Sequence, residues 1–531
     1  MAAIVSSNFR VLNANNFKED VTDSSVYVAI GKSDVWSNST SVTVDGTPAT
    51  PADNLDDLGE MRKNLIAMKK VTGSDLSNVV PRYTWTSGNS YYAWDSDDAS
   101  IFDKAFYIVT SEFKVYKCIN AGGGASSIQP TQTLTVPTAE SDGYIWKYMY
   151  TIGVSDATKF LTNSYMPVKT ISLGSEAVVA ATTSSSTTVT LTASNLNITV
   201  GMEVSGTNIS GTPTVSARTG NVLTLSAAQT LTAADRLTFE FANDSAAEAS
   251  LTEADFAQYL NQKASKASGT AGGIERIEIT APGTGYTDGT HADMVTITGD
   301  GTGATATATV SGNVITSINI TAKGSGYTVA DVVISGQGGS DGTARAVVAP
   351  KFGHGVDPVS ELGGFFTSLN VLLDGADGNG DITVGNDFRQ ISLIKEPRDY
   401  NANALTGAIS TADTRKATNY LDFAATIVSK YAVDELLVGG TSGAQAYVVE
   451  IDETNGYIYY HQNAKTGYTD FQNSETVTGQ TSGDAVALEA SNAVGNPEVD
   501  RASGEVLFLE NRDPINRTTT QIEDIKVILE F

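Results

Sequence analysis

The residues of this chain that could do chemistry are three histidines, one cysteine and a few Asp/Gly loops. His291, His354 and His461 lie in separate stretches. None has an Asp, Glu or His at the spacing of a zinc site, and none has a Ser or Cys elbow that would supply a nucleophile. His354 stands between two glycines and reads as loop structure before it reads as a general base. Asp377, Asn379 and Asp381 are spaced like the start of a calcium loop. The usual glycine is replaced by Ile382, however, and Phe388 stands where a glutamate would close the loop. A solvated Asp/Gly loop is the simpler reading, and cation binding there stays open. Gly299-Asp300-Gly301-Thr302-Gly303 imitates a phosphate loop without its Lys-Ser/Thr pair, and an equivalent turn recurs further on. Carboxylates are so numerous that no glycosidase pair stands out. Cys118, between Lys117 and Ile119, reads as a small buried hydrophobe. The residues therefore predict no catalytic group, no metal site and no cofactor.

Strands must position whatever these residues do. At residues 26–30, VYVAI alternates into Gly31-Lys32-Ser33-Asp34-Val35-Trp36. Residues 106–109 and 115–119 read as a strand pair, and the turn Asp142-Gly143 leads into YIWKYMYTI. There Tyr144, Trp146, Tyr148 and Tyr150 share one face, which suits a packed sheet or a protein interface better than a sugar platform. Leu55, Leu58, Met61, Leu65 and Met68 recur at helical spacing. Asp53 or Asn54 is placed to cap that helix, and Lys69 and Lys70 would lie in its last turn. Ser250 with Glu253 reads as the capping box of a second helix. The last 28 residues hold an apolar run at 506–509, a polar turn at 510–514 closed by Pro514, and an alternating strand at 525–531. The final strand is expected in one domain with 26–30 and 388–394.

Two stretches repeat internally. IERIEITAPGTGYT at 274–287 returns as ITSINITAKGSGYT at 315–328, so Tyr286 and Tyr327 stand 41 residues apart. Two copies are too few for a propeller or solenoid and predict a pair of related β units. Between 433 and 488, Glu435, Thr441 and Gly443 return as Glu475, Thr481 and Gly483. Here Asn455-Gly456 predicts a type I′ hairpin turn.

The 531 residues carry 33 Lys and Arg against 60 Asp and Glu, a formal charge of −27. Such a surface repels nucleic acid and acidic membranes, and neither is expected as a partner. A single cysteine excludes a disulfide framework within one chain. No apolar run approaches a membrane span, and the N-terminus lacks the apolar stretch of a signal peptide. Abundant Thr, Ser, Val and Gly favour strands and turns.

Six motifs in one order carry a resemblance: AIVSSNFR (3–10), VYVAIGKSDVW (26–36), VVPRYTW (79–85), SDGYIWKYMYTI (141–152), FRQISLIKEP (388–397) and the terminal GEVLFLENRDPI…IEDIKVILEF. Together they resemble the baseplate wedge subunit family, gene product eight, of T-even-like contractile-tailed bacteriophages. The likeness spans 1–171, 351–427 and 495–531, and both long intervening stretches look like modular β additions.

The resemblance implies a mainly β fold with some α, in which a discontinuous β-sandwich-like core holds inserted small all-β modules. The core parts are 1–172, 351–432 and 489–531. The insertions are a small β module at 173–245, a helical linker at 246–270, the β repeat pair at 271–350 and a β-hairpin module at 433–488. It further implies a non-enzymatic structural virion protein of the tail baseplate, assembled in the host cytoplasm. The protein would be a homodimer beside other wedge and peripheral tail proteins, acting through interfaces in assembly and tail contraction. Arg82, Trp85, Trp146, Arg389 and Arg512 occupy family-like positions as assembly or fold-critical candidates. A receptor- or glycan-binding adhesin, with binding carried by the inserted β modules in contact with the host surface, is the alternative. An enzyme such as a polysaccharide depolymerase finds no constellation of residues in its favour.

Overall fold

The computed structural model describes residues 4–37, 45–267, 272–374, 387–401, 407–463, 465–516 and 521–531. Strands dominate and helices are few, so the fold is mainly β with some α. The chain divides into two compact units. One comprises Met1–Glu19, Ser77–Ser368 and Ile528–Phe531, the other Asp20–Leu76 and Leu369–Val527.

The second unit is built on a five-stranded sheet. Its order is Thr414–Lys416, Leu65–Lys70, Val26–Gly31, Asp387–Lys395 and Glu505–Asn516. Val26–Gly31 is central and buried at every position, which is why its sequence is almost continuously apolar. Val28 lies opposite Lys69 on one side and Leu393 on the other. The predicted long helix is cut short. It runs only over Leu55–Lys63, with the Asn54 side chain accepting from the amide of Asp57. Asn64 ends it, and Leu65–Lys70 becomes a strand against Val26–Gly31. A helix continued to Met68 would leave the central strand unpaired on that side, so strand pairing overrides the local periodicity. The basic residues of its last turn are accordingly Arg62 and Lys63.

The predicted turn at 510–514 is also strand, part of Glu505–Asn516. That strand is an edge, and its register against Asp387–Lys395 slips between Phe388 and Gln390. Pro514 falls within this irregular segment, where a missing amide costs no ladder bond. The final strand, Ile522–Glu530, alternates as expected, with Ile525 and Val527 buried. It runs in a different sheet from Val26–Gly31, beside Phe366–Asp374.

A seven-stranded antiparallel sheet completes this unit, in the order Ala485–Ala487, Thr476–Gly479, Leu436–Gly439, Gln445–Asp452, Tyr457–His461, Asn419–Asp422, Val494–Gly495. The hairpin turn differs from expectation. Four residues separate Asp452 from Tyr457, and Gly456 has a positive φ while Asn455 does not. Asp452 accepts hydrogen bonds from the amides of Thr454 and Asn455, so its carboxylate holds the longer loop in place of a type I′ turn.

Helix Ser7–Asp23, which belongs to the first unit up to Glu19, was not legible, because its asparagine-rich sequence lacks an apolar stripe. Tyr107–Val109, Lys114–Ala121, Tyr144–Thr151 and Thr138–Ala139 form one sheet. Residues 175–240 form two three-stranded sheets around Val189, Leu223 and Phe239. Two helices follow, Asp244–Ser250 and Glu253–Ala267. Ser250 ends the first, and the Thr252 hydroxyl, in place of the expected Ser250, accepts from the Asp255 amide at the start of the second. The repeat at 274–348 makes two sheets, each combining strands from both copies. Ile274–Thr284 pairs with Ser340–Val348, and Val295–Gly299 pairs with Ala330–Ile334.

Candidate functional site

Trp146 sits fully buried in the middle of its strand. It stacks on Tyr144 at 5.5 Å and meets Tyr91 edge-on at 5.7 Å, and its indole nitrogen has no hydrogen-bond partner among the described residues. Tyr148 and Tyr150 are buried on the same face, so this aromatic row is packed interior. Trp85 donates to the Ser126 hydroxyl at 3.1 Å, and Arg82 donates to the Thr162 carbonyl at 2.9 Å. Both tie the stretch after strand Leu76–Pro81 to neighbouring loops of the same unit.

In the second unit Arg389 is almost wholly buried and grips Asp45 with both Nε and Nη2, each at 2.8 Å. Its Nη1 donates to the Ser33 carbonyl at 2.6 Å, and Asp387 lies 3.0 Å away. Burial opposes the charge on the guanidinium, but the two carboxylates outweigh it and hold the group firmly protonated. Arg389 thus fastens the loop after the central strand. Arg512 is more exposed, with Nε 3.5 Å from Glu510, while its carbonyl accepts the indole N–H of Trp36 at 2.8 Å. The five candidates fall in different places, three in the first unit and two in the second, and do not converge on one pocket.

The histidines take separate roles. His291 bonds the Thr287 carbonyl at 2.9 Å. His461 lies between Ser33 (Nδ1 to Oγ, 3.0 Å) and Asp34 (Nε2 to Oδ2, 3.4 Å), partners more than 400 positions away in sequence. This trio resembles a nucleophile, base and orienting acid, but the neighbouring cavity is lined by His461 and not by Ser33. His354 is buried, both ring nitrogens lack hydrogen bonds among the described residues, and they lie 3.7 Å from Glu275 and 3.9 Å from Glu361. Burial, reinforced by neighbouring lysines, keeps its imidazole neutral.

His354 belongs to a buried polar network that the sequence did not reveal. Lys117 and Lys147 face each other in register on adjacent strands, and both are inaccessible to solvent. Lys117 Nζ lies 2.9 Å from Glu361 and 3.8 Å above the Trp94 ring. Glu361 also accepts from the amides of Gly355, Val356 and Asp357. Among the described residues Lys147 forms no ion pair with a carboxylate. It donates to the Tyr148 carbonyl at 2.8 Å and to Asn261 of helix Glu253–Ala267 at 3.2 Å, and burial pulls its amine down to about 8. The only sequence signal was a lysine in the middle of each of two apolar strands.

Among the described residues, no group of three or more His, Cys, Asp or Glu could hold a metal ion. Asp377–Asp381 lies outside the described residues. The Gly-Asp-Gly-Thr-Gly stretch is a turn clamp, in which Asp300 accepts from the amides of Thr328 (2.8 Å) and Val329 (3.0 Å). The Thr328 hydroxyl, together with those amides, lowers the Asp300 carboxyl to about 2. Cys118 is buried, which pushes its thiol well up. No helix among the described residues is long and apolar enough to cross a membrane.

Residues 3–133 match the family model Phage-Gp8, described as Bacteriophage T4, Gp8. The resemblance read from the motifs is shown. A curated relative, the baseplate wedge protein gp8 of Enterobacteria phage T4, is 23% identical over 202 residues, which cover 31% of this chain and 60% of the relative. The chain thus spans less than two thirds of the length of the relative it matches. Of the five candidate residues, Arg82 and Trp85 fall inside the matched family segment, and Trp146, Arg389 and Arg512 lie beyond it.

Proposed function

We propose that the protein is a structural, non-enzymatic subunit of a phage tail baseplate wedge, located in the virion tail. The observation that carries this reading is the match of residues 3–133 to the Gp8 family. The site geometry agrees with it: the charged groups of the interior are engaged with one another or with backbone. In this reading the protein is a homodimer made late in infection. It joins other wedge and peripheral tail proteins through its surfaces, and shape change during tail contraction resides in those contacts.

Mass spectrometry of purified virions, with a density map of intact tails, tests the location. The expected result is this chain in the baseplate wedge, and its absence from the particle sinks the reading. Sedimentation velocity of the purified protein tests the dimer, with a concentration-independent monomer as the contrary outcome. The segments 1–172, 351–432 and 489–531 are proposed to form one discontinuous core. Helix Glu253–Ala267 is counted with that core, because Gln258, Asn261 and Gln262 are buried against residues 148–171 and 356. A chain lacking 174–245 and 272–350 but keeping that helix should still fold. Loss of its near-ultraviolet circular dichroism would refute the core assignment.

A further inference from the structure

A cavity of about 690 Å³ opens in the second unit. It is floored by Tyr460, His461 and Gln462 of the 433–488 module and walled by Arg62, Arg501 and Tyr468. Arg62 spends its guanidinium on three backbone carbonyls, those of Arg501, Ser503 and Gly504, at 3.0, 2.6 and 2.7 Å. This fixes the turn that carries Arg501. Arg501 itself donates to Asn419 Oδ1 at 3.3 Å. Among the described residues neither arginine has an ion-paired carboxylate, in a chain with 60 acidic residues against 33 basic ones. Asp470, on the same cavity wall, accepts no hydrogen bond from a described residue. Tyr468 is about half exposed (53%), and its ring lies 5.8 Å from the Lys63 amine.

This lining combines an arginine without an ion-paired carboxylate, an exposed carboxylate that can accept hydroxyl donors and an exposed aromatic face. We propose that the cavity binds an acidic oligosaccharide, a short glycan bearing a uronic acid. The sugar carboxylate meets the fork of Arg501, which suits planar bidentate pairing. Ring hydroxyls donate to Asp470 and accept from the amide of Asn419. One apolar sugar face lies on Tyr468, whose ring offers broad contact with few rotatable bonds. An acidic peptide would satisfy Arg501 but brings no hydroxyls to donate to Asp470, whereas a sugar ring supplies groups that both donate and accept. The inference goes beyond the structural reading and does not depend on it.

The test is calorimetric titration of the full-length protein with trimers of galacturonate, glucuronate and guluronate, with maltotriose and pentaglutamate as contrasts. At least one uronate trimer should bind, tenfold or more tightly than maltotriose and pentaglutamate, and should weaken as salt is raised. Arg501→Gln and Tyr468→Ala should each reduce its affinity tenfold or more. Tyr468 is exposed, so its variant keeps the test valid if Arg501→Gln misfolds. Four outcomes would each overturn the proposal: no uronate trimer bound; a preference for maltotriose; a preference for pentaglutamate, which would indicate a protein partner; or unchanged affinity in Tyr468→Ala.

Discussion

The modules at 272–350 and 433–488 are both built by doubling, and each locks its halves by reciprocal contacts of opposite character. In the first, an aromatic ring from each half lies on bare glycine backbone of the other. A Cβ on Gly339 would stand 2.3 Å from the Tyr286 ring, and one on Gly301 would stand 2.4 Å from the Tyr327 ring. Both rings are buried, and the Tyr286 hydroxyl accepts the Gly342 amide at 3.1 Å. In the second, a buried carboxylate from each half accepts from backbone amides of the other. Glu435 takes Thr481 and Ser482 at 3.2 and 3.0 Å, and Glu475 takes Thr441 and Ser442 at 3.0 and 2.9 Å. Each also receives an amide from its own half, Ala432 for Glu435 and Gln472 for Glu475. Neither half can close its face alone, so duplication creates a need for mutual cover. Shape meets that need in one module and charge in the other, so the two should fail under different insults.

The largest effect is expected from Tyr327→Ala, which empties the glycine-lined seat and should cost about 4 kcal/mol. Amide hydrogen exchange should lose protection across Val314–Ser325 and leave Leu436–Gly439 unchanged. Loss spread equally over both modules would remove the distinction. Glu475→Ala comes next, at about 3 kcal/mol, because it removes the shared acceptor of three part-buried hydrogen bonds, from the amides of Thr441, Ser442 and Gln472. Exchange should then rise in Leu436–Gly439 and Thr476–Gly479 alone.

Acid sharpens the contrast further. Burial tends to raise the Glu475 carboxyl, but the hydrogen bonds from Ser442, Gln472 and Thr441 outweigh it, and its folded pKa lies below the ordinary value. A depressed carboxylate contributes stability above its unfolded pKa and loses it as pH falls through the folded one. The second module should therefore loosen as pH drops below about 4.3, the usual glutamate value. The ring–glycine contact has no proton to gain there. Amide exchange compared at pH 7 and pH 3, each normalised to the intrinsic rate at that pH, checks this, and a 433–488 module equally protected at both would contradict it. The smallest effect is Tyr286→Phe, which keeps the ring and removes one hydrogen bond. A loss of about 1 kcal/mol is expected, against several for Tyr286→Ala, measured by the same exchange.

Both reciprocities were partly legible. The 41-residue offset of Tyr286 and Tyr327, and the return of Glu435 as Glu475, are visible in the sequence. Which half each residue serves was not, because a repeat shows likeness and not direction of contact. The strand pair ending in Lys114–Ala121, the apolar centre of Val26–Gly31 and the alternation of the last strand followed from local pattern. Helix Leu55–Lys63 was overextended for the same reason: a periodicity of three and four does not reveal that Leu65 to Met68 are wanted by a sheet. At the candidate site, the motifs pointed to Arg389 and Trp146, but nothing local announced Asp45 as the partner of Arg389.

By itself, then, the sequence determined a mainly β chain with two internal duplications, a strong acidic excess and ordered motifs that resemble those of the Gp8 family. These are properties of composition, period and order, which need no folded partner to be read. Only the tertiary structure decided that Lys117 meets Glu361 across 244 positions, that His354 finds no hydrogen bond among the described residues, and that Arg62 and Arg501 line one cavity without an ion-paired carboxylate among those residues. The physical reason is that the environment of a buried charge depends on which distant segments fold over it. Hydrophobic pattern specifies that a segment is covered, not by what.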